Sequence, residues 1–244
     1  MNHLKFFSVL VLGSLLFSNT TIAQIKNKPK KLVDIAVATG SNNSVAASLV
    51  YNWSINKKKH WLFGLGIRST TAWGNKVEFT TAPAKLARTN TIPFAIVFAG
   101  QKIENWDTLV VNKPATTSLN LTANVGYNFN KKWGVGLNID LLGFTLGSKS
   151  KAVLISNGIE TAEAVAKPAN FNVLLTGDLD YGTLNSEFYA KYAINDKWNV
   201  RLIYSFLFTE YVTTTIKQTA PNGTLVDRFR SKANNIGFGL TYNF

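Results

Sequence analysis

Few side chains in this 244-residue sequence are suited to covalent or metal chemistry. The chain contains no cysteine and two histidines, His3 and His60. A Cys–His nucleophile and a conventional zinc site both need more of these residues than the chain has. His60 stands beside Trp61 in a lysine-rich turn, which is typical of a solvated or interfacial residue rather than a catalytic base. The sequence therefore predicts no catalytic residue, no cofactor and no metal site.

Charged residues inside apolar, alternating segments are more informative. Successive side chains of a strand point to opposite faces, so such charges share the face opposite to the apolar one. If these segments close into a barrel of about eight strands, as the strand count below predicts, the three acids and three bases inside it need partners to offset their desolvation. We expect a salt-bridge network that fills the interior, with a proton or ion path as the functional alternative. Its predicted members are Asp34, Arg68, Asp140, Glu187, Lys191 and Arg201.

Three segments repeat one plan of a tyrosine, a short polar turn and a tryptophan. They run over residues 51–61, 127–133 and 192–198. The Asn, Lys and Asp residues suit tight turns, and the flanking rings suit anchoring at a membrane–water interface. The pattern predicts an aromatic girdle at one end of a barrel. It comprises Tyr51, Trp53, Trp61, Tyr127, Trp133, Tyr192, Trp198 and Tyr242.

Between these turns, apolar and polar residues alternate for eight residues or more, which is the period of a strand. The segment that begins at Trp133 and the segment that ends at Phe244 both follow this rule. The same parity runs through the other segments, so one apolar face continues along the chain. We expect Leu137, Leu202 and Leu240 on that face to contact acyl chains.

The N-terminal segment predicts export. Lys5 supplies a positive charge, residues 6–17 form an apolar run, and residues 21–23 form a small-residue cleavage site. We therefore expect a signal peptide over residues 1–23 and one mature domain over residues 24–244. No run of about 18 apolar residues exists for a membrane helix, and a lipidated cysteine is impossible.

These features together resemble small bacterial outer-membrane β-barrels of the OmpA, OmpX and OmpW type. In such barrels the last strand commonly ends in an aromatic residue that the assembly machinery recognises. The resemblance implies that Phe244 is an assembly signal and that the protein is integral to the outer membrane of a Gram-negative cell envelope. The implied partners are outer-membrane lipid, lipopolysaccharide and the barrel-assembly machinery. Although the net charge is +13, an exported chain is not expected to bind nucleic acid.

The predicted fold is all-β: a transmembrane, antiparallel, up-and-down barrel of about eight strands, with short periplasmic turns and long external loops. Within the loops, residues 76–81, 94–98, 151–156 and 171–176 are β-prone and either extend strands or form loop hairpins. The predicted strands are residues 32–39, 44–55, 60–72, 116–129, 133–146, 184–194, 198–213 and 232–244.

For function, the sequence favours a structural or surface-binding role whose external ligand it does not specify. The long loops carry an excess of basic residues that suits anionic saccharide or phosphate groups. The alternatives are a narrow channel or transporter for a small solute and, more weakly, a lipid-modifying enzyme. A soluble lipocalin-like barrel would point its apolar face inward, and it would not explain the aromatic residues that repeat at the turns. The loop bases are Lys76, Lys85, Arg88, Lys102, Lys149, Lys151, Lys167, Lys217, Arg228, Arg230 and Lys232.

Overall fold

The computed structural model describes residues 30–55, 60–156 and 159–244. The predicted signal peptide lies outside the described residues. The first strands in chain order are β1 (Lys30–Gly40), β2 (Asn43–Ser54), β3 (Trp61–Trp73), β4 (Lys76–Thr81), β5 (Thr108–Asn112), β6 (Ala115–Asn128) and β7 (Trp133–Leu146). The remaining strands are β8 (Ser150–Ser156), β9 (Ile159–Pro168), β10 (Phe171–Val173), β11 (Leu184–Ala193), β12 (Trp198–Thr213), β13 (Gln218–Thr219), β14 (Leu225–Val226) and β15 (Arg228–Asn243).

Helical structure is limited to a one-turn helix, α1 (Ala84–Ala87), and three short 3₁₀ turns at Ala95–Phe98, Ile103–Asn105 and Gly177–Leu179. Across the part of the chain that the structure describes, no helix has the length and apolar character needed to cross a membrane.

Eight long strands pair in a closed ring, which we call the main ring. Its order is β1, β2, β3, β6, β7, β11, β12 and β15, and every pair is antiparallel. The ladder between β1 and β15, from Leu32↔Asn243 to Gly40↔Asn235, closes it. Closure leaves none of these strands with an unpaired edge along its shared length. The short connections 129–132 and 194–197 lie at one end of the ring, which we call the turn end.

The fifteen described strands exceed the predicted count of about eight, because the long loops build a second ring. In this cap ring, β15 pairs with β4, β4 with β5, β5 with β8, β8 with β9, and β9 with the upper end of β12. The upper ends of β12 and β15 pair with each other and complete it. Two of the β-prone loop segments, 76–81 and 151–156, are thus cap strands and 171–173 forms β10, whereas 95–98 is a 3₁₀ turn and not a strand.

The two rings have opposite polarity. Outside the main ring, large apolar side chains such as Ile35, Leu121 and Phe238 are more than half exposed, while its inner face is mostly polar and contains two small buried apolar clusters. The cap ring instead encloses an apolar core that includes Phe79, Leu109 and Phe229, and its outer face carries exposed Glu78, Lys151 and Glu163. The sign of the alternation therefore reverses between the two rings, although β12 and β15 belong to both.

A β-bulge corrects one detail of the predicted alternation. The β6–β7 register shifts between Leu121↔Leu142 and Thr122↔Asp140, so Leu141 has no partner across the ladder. A bulge adds one residue to a strand and re-aims the side chains beyond it. Above the bulge, Leu142, Phe144 and Leu146 therefore continue the apolar outer face at even-numbered positions, whereas below it that face uses odd-numbered ones.

Candidate functional site

The interior of the main ring carries a buried network centred on Arg68, whose side chain is 1% exposed. The Arg68 guanidinium lies 2.7 Å from a carboxylate oxygen of Asp140 and 3.2 Å from one of Glu187. The second Asp140 oxygen accepts hydrogen bonds from the Asn120 amide at 2.8 Å and from the backbone N–H of Asn185 at 2.9 Å. Each carboxylate is thus compensated by both charge and hydrogen bonds, as buried ions require.

Arg201 extends this network toward the turn end. Its Nη1 lies 3.5 Å from Glu187, and its Nη2 donates to Asp34. The hydroxyl of Thr241 donates to the other oxygen of Asp34 at 2.6 Å. Glu187 consequently bridges two guanidinium groups, and five of the six predicted residues form one continuous chain of contacts.

Lys191 is the predicted residue that stands apart from this chain. Its ammonium donates to the side-chain oxygen of Asn128 at 2.8 Å and forms no ion pair with any described carboxylate. Lys191 faces a cavity of about 520 Å³, which opens at the turn end and which we call the basal cavity. Lys30, Lys131 and Lys132 line its mouth together with one acid, Asp196, so the entrance carries an excess of positive charge.

Tyr189 and Arg201 form the inner wall of the basal cavity. The guanidinium carbon of Arg201 lies 4.7 Å from the centre of the Tyr189 ring, and the Asn124 amide donates to the Tyr189 hydroxyl at 3.0 Å. A Cβ at Gly136 would overlap that hydroxyl. Glycine at this position is therefore what lets an aromatic side chain lie across the interior.

Above the charge network, the interior is sealed in layers. Asn172 donates to Asn120 at 2.7 Å, and above these amides come the buried apolar side chains of Ala72, Leu207 and Ala233. Tyr211 then fills the junction between the two rings, with Phe79 at a ring-centre separation of 4.9 Å. These buried side chains occupy the interior between the basal cavity and the cap ring.

The predicted aromatic girdle lies at the turn end of the main ring. Cross-strand pairs form between Trp61 and Tyr127, Trp133 and Tyr192, and Trp198 and Tyr242, with ring centres 4.8–5.0 Å apart. Tyr51 and Trp53 lie near the same end, on β2, and Tyr51 has the Lys31 ammonium 5.6 Å from its ring centre. The girdle pairs thus bring together residues from strands that are distant along the chain.

His60 and Phe244 lie at the same end. The His60 ring stacks on Tyr127 at 5.7 Å and its Nδ1 donates to the carbonyl oxygen of Asn128 at 2.7 Å. The exposed Phe244 ring contacts Tyr242, while its backbone N–H donates to Lys31 at 3.0 Å, beside the seam between β1 and β15. Within the described residues, no group of three histidine, aspartate or glutamate side chains has the arrangement needed to hold a metal ion.

A second group of charges, the flank cluster, lies on the outer face of β12 and β15 above the apolar belt. Buried Glu210 contacts Arg228 at 2.8 Å and Arg230 at 2.6 Å, and it accepts a hydrogen bond from the backbone N–H of Gly182. Asp178 contacts Arg230 at 3.1 Å and Lys232 at 2.6 Å, and it also accepts from Arg88. Four of the predicted external bases are therefore engaged by these two acids.

Asp178 and Asp180, the two acids of the loop that carries the flank cluster, have pKa values shifted in opposite directions. Burial would raise the pKa of Asp178, but the hydrogen bond and charge of Lys232, with Arg88 and Arg230, outweigh burial and hold the pKa below its usual range. For Asp180, burial dominates and raises the pKa to about 6. Its carboxylate accepts the backbone N–H of Leu175 at 2.7 Å, which opposes the rise only in part.

Glu210, Tyr189 and the Asn120–Asn172 layer were not predicted from the sequence. Glu210 left a signal, because it follows Phe206 and Phe208 at the apolar parity of β12 and a charge there contradicts contact with lipid. Tyr189 has the interior parity of Glu187 and Lys191, but an aromatic residue is uninformative without knowing that Gly136 lies opposite. Asn172 lies on a loop strand whose pairing is non-local.

The fold is similar to several solved structures and resembles bacterial outer-membrane β-barrels. Ail, the attachment invasion locus protein of Yersinia pestis, is 10% identical with a TM-score of 0.37 over 89% of this chain and 99% of that one. Neisserial surface protein A is 9% identical, with a TM-score of 0.33 over 88% and 96%. The Pseudomonas putida toluene transporter TodX is 8% identical, with a TM-score of 0.25 over 94% and 93%.

No protein-family model matches the chain, and no curated protein sequence matches it. At these identities and TM-scores, the role of the chain has to be inferred from its own geometry.

We predict that Arg68→Ala destabilises the barrel by about 3–5 kcal/mol, because it leaves Asp140 and Glu187 buried without their guanidinium partner. Urea unfolding in detergent micelles measures the change. Lys85→Ala, at the exposed position of the otherwise buried α1, is the matched control and should stay within about 0.5 kcal/mol of the parent. Equal midpoints for the two variants would contradict the buried network.

We predict that the loop of residues 174–182 is more stable at pH 4 than at pH 7. The pKa of Asp180 is about 6 in the folded state, above its ordinary 3.8, so the folded loop is stabilised when Asp180 is protonated. This contribution to stability is complete below pH 3.8 and is lost as the pH rises through 6. Hydrogen exchange of this loop between pH 4 and 7, corrected for intrinsic rates, measures the loss. Asp180→Asn should abolish the dependence, whereas Asp227→Asn, at an exposed site, should retain it.

Proposed function

We propose that the chain is a closed outer-membrane β-barrel with a structural or surface-binding role. In this proposal the eight strands of the main ring cross the membrane, and the cap ring stands outside it as a folded surface domain. The observation that carries the proposal is the reversal of polarity between two rings that share β12 and β15. On this pair of strands the outer side chains change from apolar ones below to charged, ion-paired ones above, which locates a boundary between two environments.

The geometry of the main ring supports membrane insertion. In hydrocarbon every backbone hydrogen bond has to be made within the protein, and a closed ring achieves this. The outer face presents an apolar belt bounded by the paired rings of the girdle, as in other transmembrane barrels. A soluble lipocalin-like barrel requires the opposite arrangement, with apolar residues inside, and the main ring does not have it.

The turn end faces the periplasm in this proposal, and the cap ring faces outward. Outer-membrane lipid contacts the belt, and lipopolysaccharide phosphates or saccharides meet exposed cap bases such as Lys76, Lys85 and Lys151. Phe244 remains the proposed signal for the barrel-assembly machinery. Its position beside the closing seam of β1 and β15 supports that role, because recognition there would act on the last step of closure.

The interior favours a scaffold over a conductor or an enzyme. Three layers succeed one another along the axis: the ion pairs, the Asn120–Asn172 amide layer, and the apolar side chains around Tyr211, which we call the plug. A solute would have to displace all three. Arg68 and Glu187 form ion pairs with each other, with Asp140 and with Arg201, although Arg68 also lines the basal cavity. We therefore assign the paired charges a structural role.

Narrow transport is the second candidate, and the basal cavity is the observation that favours it. The cavity has the volume of a small-molecule site, and its basic entrance would attract anions. In a transporter, the plug around Tyr211 would have to move during each cycle.

We predict that the protein fractionates with the outer membrane and that its electrophoretic migration changes on heating, as expected for a stable barrel. Leu202 lies four residues along β12 from the girdle residue Trp198. Leu202→Arg should lower the free energy of unfolding by about 2–4 kcal/mol, because it places a charge near the bilayer midplane. Asn138→Arg should be milder, because Asn138 lines the basal cavity and lies beside Glu187. Recovery as a soluble periplasmic protein, or equal tolerance of both substitutions, would refute the membrane assignment.

We predict no steady ion conductance from purified monomer in a planar bilayer, because the interior is blocked in successive layers. Single-channel recording at 1 M KCl is the measurement. A matched variant that combines Tyr211→Ala with Phe79→Ala should lower the barrier at the ring junction and raise the frequency of transient openings. Large, stable conductance from the parent would instead support the transport candidate.

A further inference from the structure

One long loop contains an apolar segment that the folded protein leaves uncovered. Between Arg88 and Lys102 no residue is charged, and this interval includes the run Ile92-Pro-Phe-Ala-Ile-Val-Phe98. Phe98 is 91% exposed and Phe94 is 79% exposed, and Ile92 and Val97 are also exposed. Loops that face water are normally polar, so a contiguous apolar patch of this kind marks contact with something other than water.

The segment is held in a defined shape. Arg88 and Gln101 form an antiparallel bridge, and backbone hydrogen bonds join Thr89 to Gly100 and Lys102 to Ala87 at 3.0 Å each. These bonds join the two ends of the segment at its base. At its tip Ile96 is 1% exposed and packs beside Gly177, while its neighbours point away from the protein.

Ion pairs fix the height of residues 92–98, by which we mean their position along the barrel axis measured from the girdle at the turn end. Arg88, at its base, contacts Asp178, and Asp178 contacts Lys232 on the outer face of β15. Lys232 lies ten residues from the girdle residue Tyr242 along β15. A barrel strand crosses the hydrocarbon in about 9–11 residues, so Lys232 marks the far edge of the belt.

The neighbouring strand β12 lies at the same height, because Phe208 is the cross-strand partner of Lys232. Phe208 lies ten residues from the girdle residue Trp198 along β12. The Arg230 guanidinium covers the Phe208 ring at 4.2 Å, and Arg230 in turn contacts Asp178. The apolar segment is thus attached where two adjacent strands leave the belt.

We propose that residues 92–98 form a lipid anchor, in which Ile92, Phe94, Val97 and Phe98 insert among acyl chains of the membrane leaflet on the cap side. This inference rests on the proposed membrane-spanning barrel and adds a contact outside its strands. Aromatic and aliphatic side chains gain free energy by leaving water for the interfacial region. The flanking Arg88, Lys102 and Lys232 place cations at the level of lipid phosphates.

The absence of cysteine allows a direct test with single-cysteine variants. Phe98→Cys reports on the segment, Leu202→Cys on the belt and Lys151→Cys on the exposed outer face of the cap ring. Each variant is labelled with an environment-sensitive fluorophore and reconstituted into phosphatidylcholine vesicles, with or without bromine atoms at defined acyl depths. Heat-modifiable migration verifies that each variant is folded.

We expect bromolipids to quench the label at residue 98 by at least half as much as the label at residue 202, most strongly with shallow bromine. The label at residue 151 should be unquenched. If the label at 98 behaves like that at 151 while the label at 202 is quenched, the anchor is refuted and the barrel proposal stands; such a patch would then face a protein partner. If the label at 202 is also unquenched, the membrane assignment of the main ring fails.

Discussion

Closure of the main ring by the β1–β15 ladder is the constraint on which the rest of the structure depends. A closed ring has a small, fixed interior, and every inward side chain has to share it. Charges enclosed there cannot reach water laterally, so Arg68 and Arg201 have to find carboxylates on other strands, and Glu187 serves both. The same limited volume explains why Gly136 is needed opposite Tyr189. The buried ion pairs thus follow from closure of the ring, and they are not by themselves evidence of function.

The shared strands explain how one chain makes two environments. β12 and β15 run through both rings, so their inward face changes from charged residues near Arg201 to Tyr211 and Phe229 without any break in hydrogen bonding. A small ring of six strands has little room inside, and apolar side chains fill it without needing partners. Water outside the cap ring is compatible with charged side chains, whereas the lipid proposed to surround the main ring would not be. The alternation reverses where the surrounding solvent is proposed to change.

Much of the main ring could be predicted from sequence, because strand parity and aromatic turns are local signals. The predicted strand 133–146 coincides with β7, yet the bulge at Leu141 was not predictable, since it depends on the register with β6. The cap ring was missed for a related reason. Its strands join segments from three loops, and no local pattern states that β5 pairs with β8. The interior parity of Lys191 was readable from sequence, but its distance from the carboxylates required the register of neighbouring strands.

The flank cluster follows from the change of environment along the shared strands. Glu210 has the same outward parity as the apolar residues Leu202 and Tyr204 below it, but it lies beyond the belt. An unpaired carboxylate at the edge of the proposed lipid belt would be costly, and here Arg228, Arg230 and a backbone N–H enclose the Glu210 carboxylate. The loop that supplies that N–H also carries Asp178, which fastens the base of the 92–98 segment. The protein therefore covers the transition between its two rings with a folded loop, and that loop positions the exposed apolar residues beside the upper edge of the belt.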